Sequence, residues 1–161
     1  MISVLIAEPD ARVRTHILVD LIDDLPGIEI VGQARTGSEA IDLVRELQPD
    51  VLITDLAMPE LSGLEISRKV RDADLPTRVL FFAAHYSDSY IVQAFDCGAA
   101  GYLLKGKADE RLVDAIRTVA EGDSIFSDGV VHRPPEAYVN ELREAHRDLF
   151  ETLTDREREI L

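Results

Sequence analysis

Short apolar runs alternate along the chain with longer amphipathic stretches. The runs are Ile2–Ala7, Ile28–Gly32, Val51–Thr54, Val79–Ala83 and Gly101–Leu104. They lack a strict alternation of apolar and polar positions, which indicates strands buried on both faces, as in a parallel sheet covered by helices. The pattern predicts a doubly wound α/β domain in which five strands alternate with five helices.

Three of the predicted helices show a continuous apolar stripe. Its members are Val13, Ile17, Leu18, Leu21 and Ile22 in the first helix, Ala40, Leu43, Val44 and Leu47 in the second, and Leu112, Ala115, Ile116 and Val119 in the last. Turn residues fix the boundaries: Pro26-Gly27 and Pro49 end the first two helices. Ser62 precedes Glu65 by three residues, which predicts a capping box at the start of the third helix.

The pattern changes after about residue 130. Arg133-Pro134-Pro135 is typical of a linker, and a helix is then predicted by apolar residues spaced three or four apart, namely Tyr138, Leu142, Ala145, Leu149 and Leu153. This helix could pack on its own domain or pair with a second copy as a coiled coil, and the spacing leaves both open. Thr154 and Glu157 form another capping box, so a further helix is expected to begin there.

Length and charge narrow the class of protein. The 161 residues suit one domain with an appendage, and the net charge of −14 argues against a nucleic-acid surface within them. Cys97 is the single cysteine, which rules out an internal disulfide and a cysteine metal cluster. No apolar run approaches the length of a membrane span, so we expect a cytoplasmic protein that does not enter a membrane.

Charged residues collect at the ends of the predicted strands. Glu8 and Asp10 follow the first strand, Asp55 follows the third and Lys105 the fifth. In an open parallel sheet, ligands bind at the carboxyl ends of the strands, so these side chains should meet. Crowded carboxylates favour a cation such as Mg²⁺. The lysine could pair with Asp55 or with a phosphoryl group on it, because aspartate can accept phosphate as a nucleophile.

Each of these residues also has a purely structural interpretation. Asp55 could cap a turn, although a lone Asp after four buried apolar residues is costly unless it is used. Asp10 suits the N-cap of the first helix better than a metal site. Glu8 and Lys105 could be solvated residues at strand ends.

Three segments of the chain resemble the receiver domain of two-component response regulators: "VLIAEPD", "PDVLITDLAMPELSGLE" and "AFDCGAAGYLLKG". The phrases "GYLLKG" and "LTDREREIL" resemble the NarL/LuxR class, in which a LuxR-type helix-turn-helix follows the receiver. The resemblance implies a flavodoxin-like sheet of order 2-1-3-4-5 in a receiver spanning residues 1–128. A largely helical linker would occupy residues 129–153. Residues 154–161 would begin a DNA-binding domain that continues in a longer protein.

The resemblance also implies roles for individual residues. Asp55 matches the phosphoacceptor, Lys105 the lysine that contacts the phosphoryl group, and Tyr102 the aromatic switch position. The implied Mg²⁺ ligands are Glu8, Asp55 and the backbone carbonyl of Ala57, with a weak contribution from Asp10.

Two positions depart from the family's pattern. Pro9 stands where a second acid usually contacts the metal, and Ala83 stands where a Thr or Ser hydroxyl usually binds the phosphoryl oxygen. Losing a hydrogen bond to a charged group costs about 1.5–3 kcal/mol, enough to weaken a two-state switch. Because Pro9 supplies no carboxylate, the Mg²⁺ site is also expected to be weak.

Two functions follow, and the sequence does not separate them. The first is a phosphorylation-driven receiver that takes phosphate from a sensor histidine kinase or a small phosphodonor and controls homodimerisation and a DNA-binding effector. The second is a degenerate, phosphorylation-independent receiver that acts as a constitutive dimerisation or protein-interaction module. An aspartate-nucleophile phosphatase is disfavoured because it would need a second acid where Ala57 stands. We therefore expect no enzyme, and DNA contact only through the domain beyond residue 161.

Overall fold

The computed structural model of the chain describes residues 1–17, 22, 25–84, 87–105, 111–126, 129–130, 140–141 and 143–144. The chain forms, in order, β1 (Ile2–Ala7), α1 (Ala11–Thr15), β2 (Ile28–Ala34), α2 (Gly37–Leu47), β3 (Val51–Thr54), α3 (Gly63–Asp72), β4 (Arg78–Ala83), α4 (Asp88–Asp96), β5 (Gly101–Leu104), α5 (Leu112–Ala120), β6 (Ile125–Phe126) and β7 (Gly129–Val130). All five predicted strands are present, three of them with the predicted bounds.

The strands form one sheet of order β2-β1-β3-β4-β5-β6-β7. The first five are parallel and confirm the order 2-1-3-4-5. Two short strands, not predicted from the sequence, extend this sheet: β6 pairs parallel with β5, and β7 pairs antiparallel with β6. Two-residue strands are too short to show a hydrophobic period, and only their neighbours in the sheet define them.

Successive strand residues point into opposite layers of the core. In β1, Leu5 and Ala7 pack in the layer that contains the buried residues of α2, α3 and α4. Val4 and Ile6 pack in the other layer, which contains the buried residues of α5 and also Ile17. Both faces of the sheet are therefore covered, as the absence of alternation in the strands predicted.

Side-chain caps fix the helix starts that face the carboxyl ends of the strands. The Ser62 hydroxyl accepts the Glu65 N–H at 3.2 Å, which confirms the predicted N-cap of α3. Thr36 and Ser87 cap α2 and α4 in the same way. Each cap satisfies a backbone donor that the helix itself leaves free. The caps therefore define where each loop at the carboxyl ends of the strands stops and its helix begins.

The C-terminal prediction is described in part. Residues 140–141 and 143–144 are helical, and Arg143 forms an ion pair with Asp96 in the last turn of α4. The rest of the linker helix, the 154–161 segment and Leu18 and Leu21 of the first stripe lie outside the described residues. In the described part of the chain, no helix is both long and apolar enough to cross a membrane.

Candidate functional site

Three charged side chains meet at the carboxyl ends of β1, β3 and β5. The Lys105 ammonium donates to Asp55 Oδ2 at 2.7 Å and to Glu8 Oε2 at 2.9 Å. The backbone N–H of Lys105 donates to the Ala83 carbonyl at 2.8 Å, which anchors this residue at the end of β4. From that anchor the lysine side chain reaches both acids, so one ammonium joins two carboxylates.

The second oxygen of each carboxylate also accepts a hydrogen bond. The Asp10 N–H donates to Glu8 Oε1 at 3.2 Å, and the Ala57 N–H donates to Asp55 Oδ1 at 3.3 Å. The Glu8 side chain is 4% exposed, whereas Asp55 and Lys105 keep 16% and 18% of their side-chain surface in contact with solvent. We call the site formed by these three side chains the pocket. Glu8 is its buried member, and Asp55 and Lys105 are the members that contact solvent.

Burial and charge act differently on the two ends of this cluster. Burial lowers the pKa of Lys105, but the hydrogen bonds and charges of Asp55 and Glu8 outweigh it, so the pKa lies above its usual 10.5. Burial raises the pKa of Glu8 above its usual 4.5, and the shared ammonium does not fully offset that cost. Lys105 is therefore held in its charged form. For Glu8, burial disfavours the charged carboxylate more than the Lys105 ammonium favours it.

Arg14 is a residue of this site that was not predicted from the sequence. Its guanidinium is buried and donates to the Glu8 carbonyl at 2.7 Å and to the Pro9 carbonyl at 3.4 Å. A signal was available, because Arg14 precedes Ile17 by three residues and so falls on the apolar stripe of the first helix. A second cation therefore lies beneath the Glu8-Pro9 segment.

Asp10 does not contribute its carboxylate to the cluster. Its Oδ1 accepts the Arg12 N–H at 2.8 Å and caps α1. This is the N-cap role that the sequence favoured for Asp10 over metal binding. Pro9, which lies between Glu8 and Asp10 in the chain, has only its ring as a side chain. Of the proposed metal ligands from the first loop, only Glu8 thus faces Asp55 and Lys105.

Ala83 and Tyr102 lie in the apolar layer next to the charged cluster. Ala83 ends β4 and is 2% exposed, so no hydroxyl reaches the pocket from this position. Tyr102 is fully buried on β5, and its ring lies 6.4 Å from that of Phe81, centroid to centroid. The aromatic position predicted as a switch is thus held inside the core.

The donor set does not fit Mg²⁺ as it is arranged. Mg²⁺ prefers octahedral oxygen coordination and is usually bound through carboxylates together with waters. Of the acids that the structure describes, Glu8 and Asp55 are the only ones whose carboxylates share this site, and Lys105 holds one oxygen of each. Among the described residues, no three His, Cys, Asp or Glu side chains are grouped so that they could hold a metal.

Comparison with known proteins identifies the family. A family model described as the response regulator receiver domain matches residues 4–117. The chain belongs to this family. Receiver domains of this kind are regulatory modules of two-component systems, and Mg²⁺ is the metal they generally bind.

Similar proteins place this receiver in the NarL/LuxR class. It is 35% identical over 161 residues to the transcriptional regulatory protein DesR of Bacillus subtilis, covering 100% of this chain and 73% of DesR. It resembles the receiver of the NarL response regulator from Mycobacterium tuberculosis, with a TM-score of 0.72 and 32% identity over 75% of this chain and 97% of that one. A LuxR-family DNA-binding response regulator from Staphylococcus aureus gives a TM-score of 0.69 and 30% identity over 74% and 99%.

Proposed function

We propose that this receiver accepts a phosphoryl group on Asp55 and thereby controls a DNA-binding effector domain. The observation that carries the proposal is the Lys105 ammonium, 2.7 Å from Asp55 Oδ2 on a carboxylate that remains 16% exposed. A carboxylate that is accessible, and next to a fixed cation, can attack a phosphorus atom and retain the added negative charge.

The proposed transfer uses few groups. A bond between phosphorus and its donor atom breaks as an Asp55 oxygen forms a new bond to phosphorus, and the leaving group departs with the electron pair. Lys105 then balances the charge that the phosphoryl group adds, and the Ala57 N–H is a nearby hydrogen-bond donor. The phosphoryl group would come from a sensor histidine kinase or a small phosphorylated molecule in the cytoplasm.

The response would pass through the core to the surface. Tyr102 is fully buried on β5, in the same apolar layer as the buried residues of α4. The surface that would respond is the face made by α4, β5 and α5. A change at Asp55 that alters the packing of Tyr102 would alter this face, and with it homodimerisation and the effector. DNA contact would come through the LuxR-type domain.

A second candidate is a phosphate-independent receiver that serves as a constitutive dimerisation or protein-interaction module. It is favoured by Pro9 and Ala83, which remove an acid and a hydroxyl from the pocket. The ion pairs of Lys105 also satisfy both acids without phosphate.

The two candidates separate in one experiment. The chain is incubated with MgCl₂ and acetyl phosphate, and its intact mass is measured beside Asp55→Asn and the matched exposed control Asp74→Asn. Phosphorylation predicts a phosphoryl mass increase in the wild type and Asp74→Asn, and none in Asp55→Asn. No increase in the wild type, while a receiver with both acids and the hydroxyl is labelled in parallel, would favour the interaction module.

A further inference from the structure

The protein itself supplies a counter-charge to the acids of this pocket. Glu8 and Asp55 contribute two negative charges, and Lys105, which donates to both, contributes one positive charge. The Arg14 guanidinium donates to the backbone carbonyls of Glu8 and Pro9. The Asp10 carboxylate is exposed and engaged in capping α1. The pocket thus holds a cation of its own between its two acids, unlike a cluster of acids that needs an external cation.

The carboxylate oxygens are also engaged. Each of the four oxygens of Glu8 and Asp55 accepts one N–H, two from the Lys105 ammonium and two from backbone amides. A divalent cation would have to displace the ammonium from oxygens at 2.7 and 2.9 Å, and the part of the chain that the structure describes offers it no third carboxylate in return. Mg²⁺ also gives up its water ligands reluctantly.

We propose that Lys105 is the resident counter-cation of this pocket, and that the pocket does not bind Mg²⁺ in the resting receiver. Pro9 is the residue that sets this property. An acid at position 9 would make the pocket more negative by one unit and add an oxygen ligand beside Glu8. The inference uses the same pocket as the proposed function, but it concerns binding of the metal alone.

The test is a titration of the full chain with MgCl₂ at constant ionic strength, without any phosphodonor. Backbone ¹H–¹⁵N signals of Asp10 and Ala57 report on the pocket, because these N–H groups bind its carboxylates. The variants are Pro9→Asp, which adds an acid, and Lys105→Met, which frees both carboxylates. Pro26→Asp is the matched control, since it replaces an exposed proline by the same acid in a turn before β2.

In the wild type and in Pro26→Asp, the two signals should stay unchanged at Mg²⁺ concentrations that saturate Pro9→Asp or Lys105→Met. We expect binding to tighten about ten-fold or more in each pocket variant, since each makes the net pocket charge more negative by one unit. Saturation of the wild type at the same concentration as Pro9→Asp would overturn the proposal. So would a failure of both pocket variants to bind more tightly than the wild type.

The outcome is separate from that of the phosphorylation experiment. A wild type that binds Mg²⁺ tightly would refute the lysine as counter-cation and leave Asp55 as a phosphoacceptor untouched. A chain that is never labelled on Asp55 would refute the proposed function and leave the metal titration valid.

Discussion

Gly63 packs directly against the backbone of Asp55. A Cβ built on Gly63 would lie 2.3 Å from the Asp55 carbonyl oxygen and 2.8 Å from Cε1 of Phe81. The Phe81 ring in turn packs against Tyr102. The first residue of α3 is therefore fitted between the end of β3 and the aromatic pair, and no other residue type has a side chain small enough for that place.

Gly63→Ala should destabilise the fold by about 1–3 kcal/mol, because the added methyl group must push backbone atoms apart. The free energy of unfolding is measured by urea titration with circular dichroism, since the chain has no tryptophan. Gly32→Ala is the control, as its nearest neighbour atom is the end of the flexible Leu5 side chain at 3.0 Å. Equal losses in the two variants would contradict a specific fit at Gly63.

Removing the shared ammonium should leave two facing acids without a counter-charge. Lys105→Met is expected to lower the free energy of unfolding by about 1–3 kcal/mol, a range that allows for the partial exposure of the pair. Adding Glu8→Gln to this variant should restore part of the loss, because one buried charge disappears. Urea titration of the wild type, the two single variants and the double variant measures the interaction. Purely additive effects would show that the Lys105–Glu8 ion pair contributes nothing to stability.

The raised pKa of Glu8 predicts a pH dependence of stability. The folded chain keeps the Glu8 proton to a higher pH than the unfolded chain, whose pKa is near 4.5. The stabilising contribution of the protonated acid is thus complete below 4.5 and is lost as the pH rises through the folded-state pKa.

The variant Glu8→Gln isolates this contribution. The difference in unfolding free energy, wild type minus Glu8→Gln, should decrease as the pH rises above 4.5 and level off once the pH exceeds the folded-state pKa of Glu8. Lys105 does not interfere, because its pKa is raised above 10.5 and it stays charged throughout. A difference that is flat with pH would mean that the ammonium balances the effect of burial on the pKa of Glu8, and one that increases would mean that the ammonium outweighs it.

A hydroxyl at position 83 should strengthen the response to phosphorylation. Ala83→Ser places a donor at the end of β4, and a hydrogen bond to a charged group is worth about 1.5–3 kcal/mol. If dimerisation follows phosphorylation, the ratio of dimer dissociation constants without and with acetyl phosphate should increase roughly ten-fold or more. Sedimentation equilibrium measures it, with the exposed neighbour Ala84→Ser as control. An unchanged ratio in Ala83→Ser would argue that the missing hydroxyl is not what limits the switch.

Short apolar runs in the sequence predicted the strands from Ile2 to Leu104, and the resemblance to receiver domains implied their order. The meeting of Glu8, Asp55 and Lys105 was predictable as well, because strand ends share one edge of a parallel sheet. The sharing of one ammonium by two acids depends on side-chain reach and could not be seen in spacing alone. Arg14 was not predicted, because a buried arginine that binds backbone carbonyls has no sequence motif. Its only signal is a polar residue at a position of the apolar stripe.

The two edges of the sheet, among the described strands, are both poor templates for another chain. At one edge β7 offers two residues, too few to align an added strand. At the other edge, β2 is longer, but the register shift against β1 leaves Val31 unpaired, so the strand bulges there. Added strands need a regular row of free backbone groups. Copies of this protein at high concentration should therefore associate through helix surfaces rather than by sheet extension, and resist the growth of cross-β aggregates from the native state.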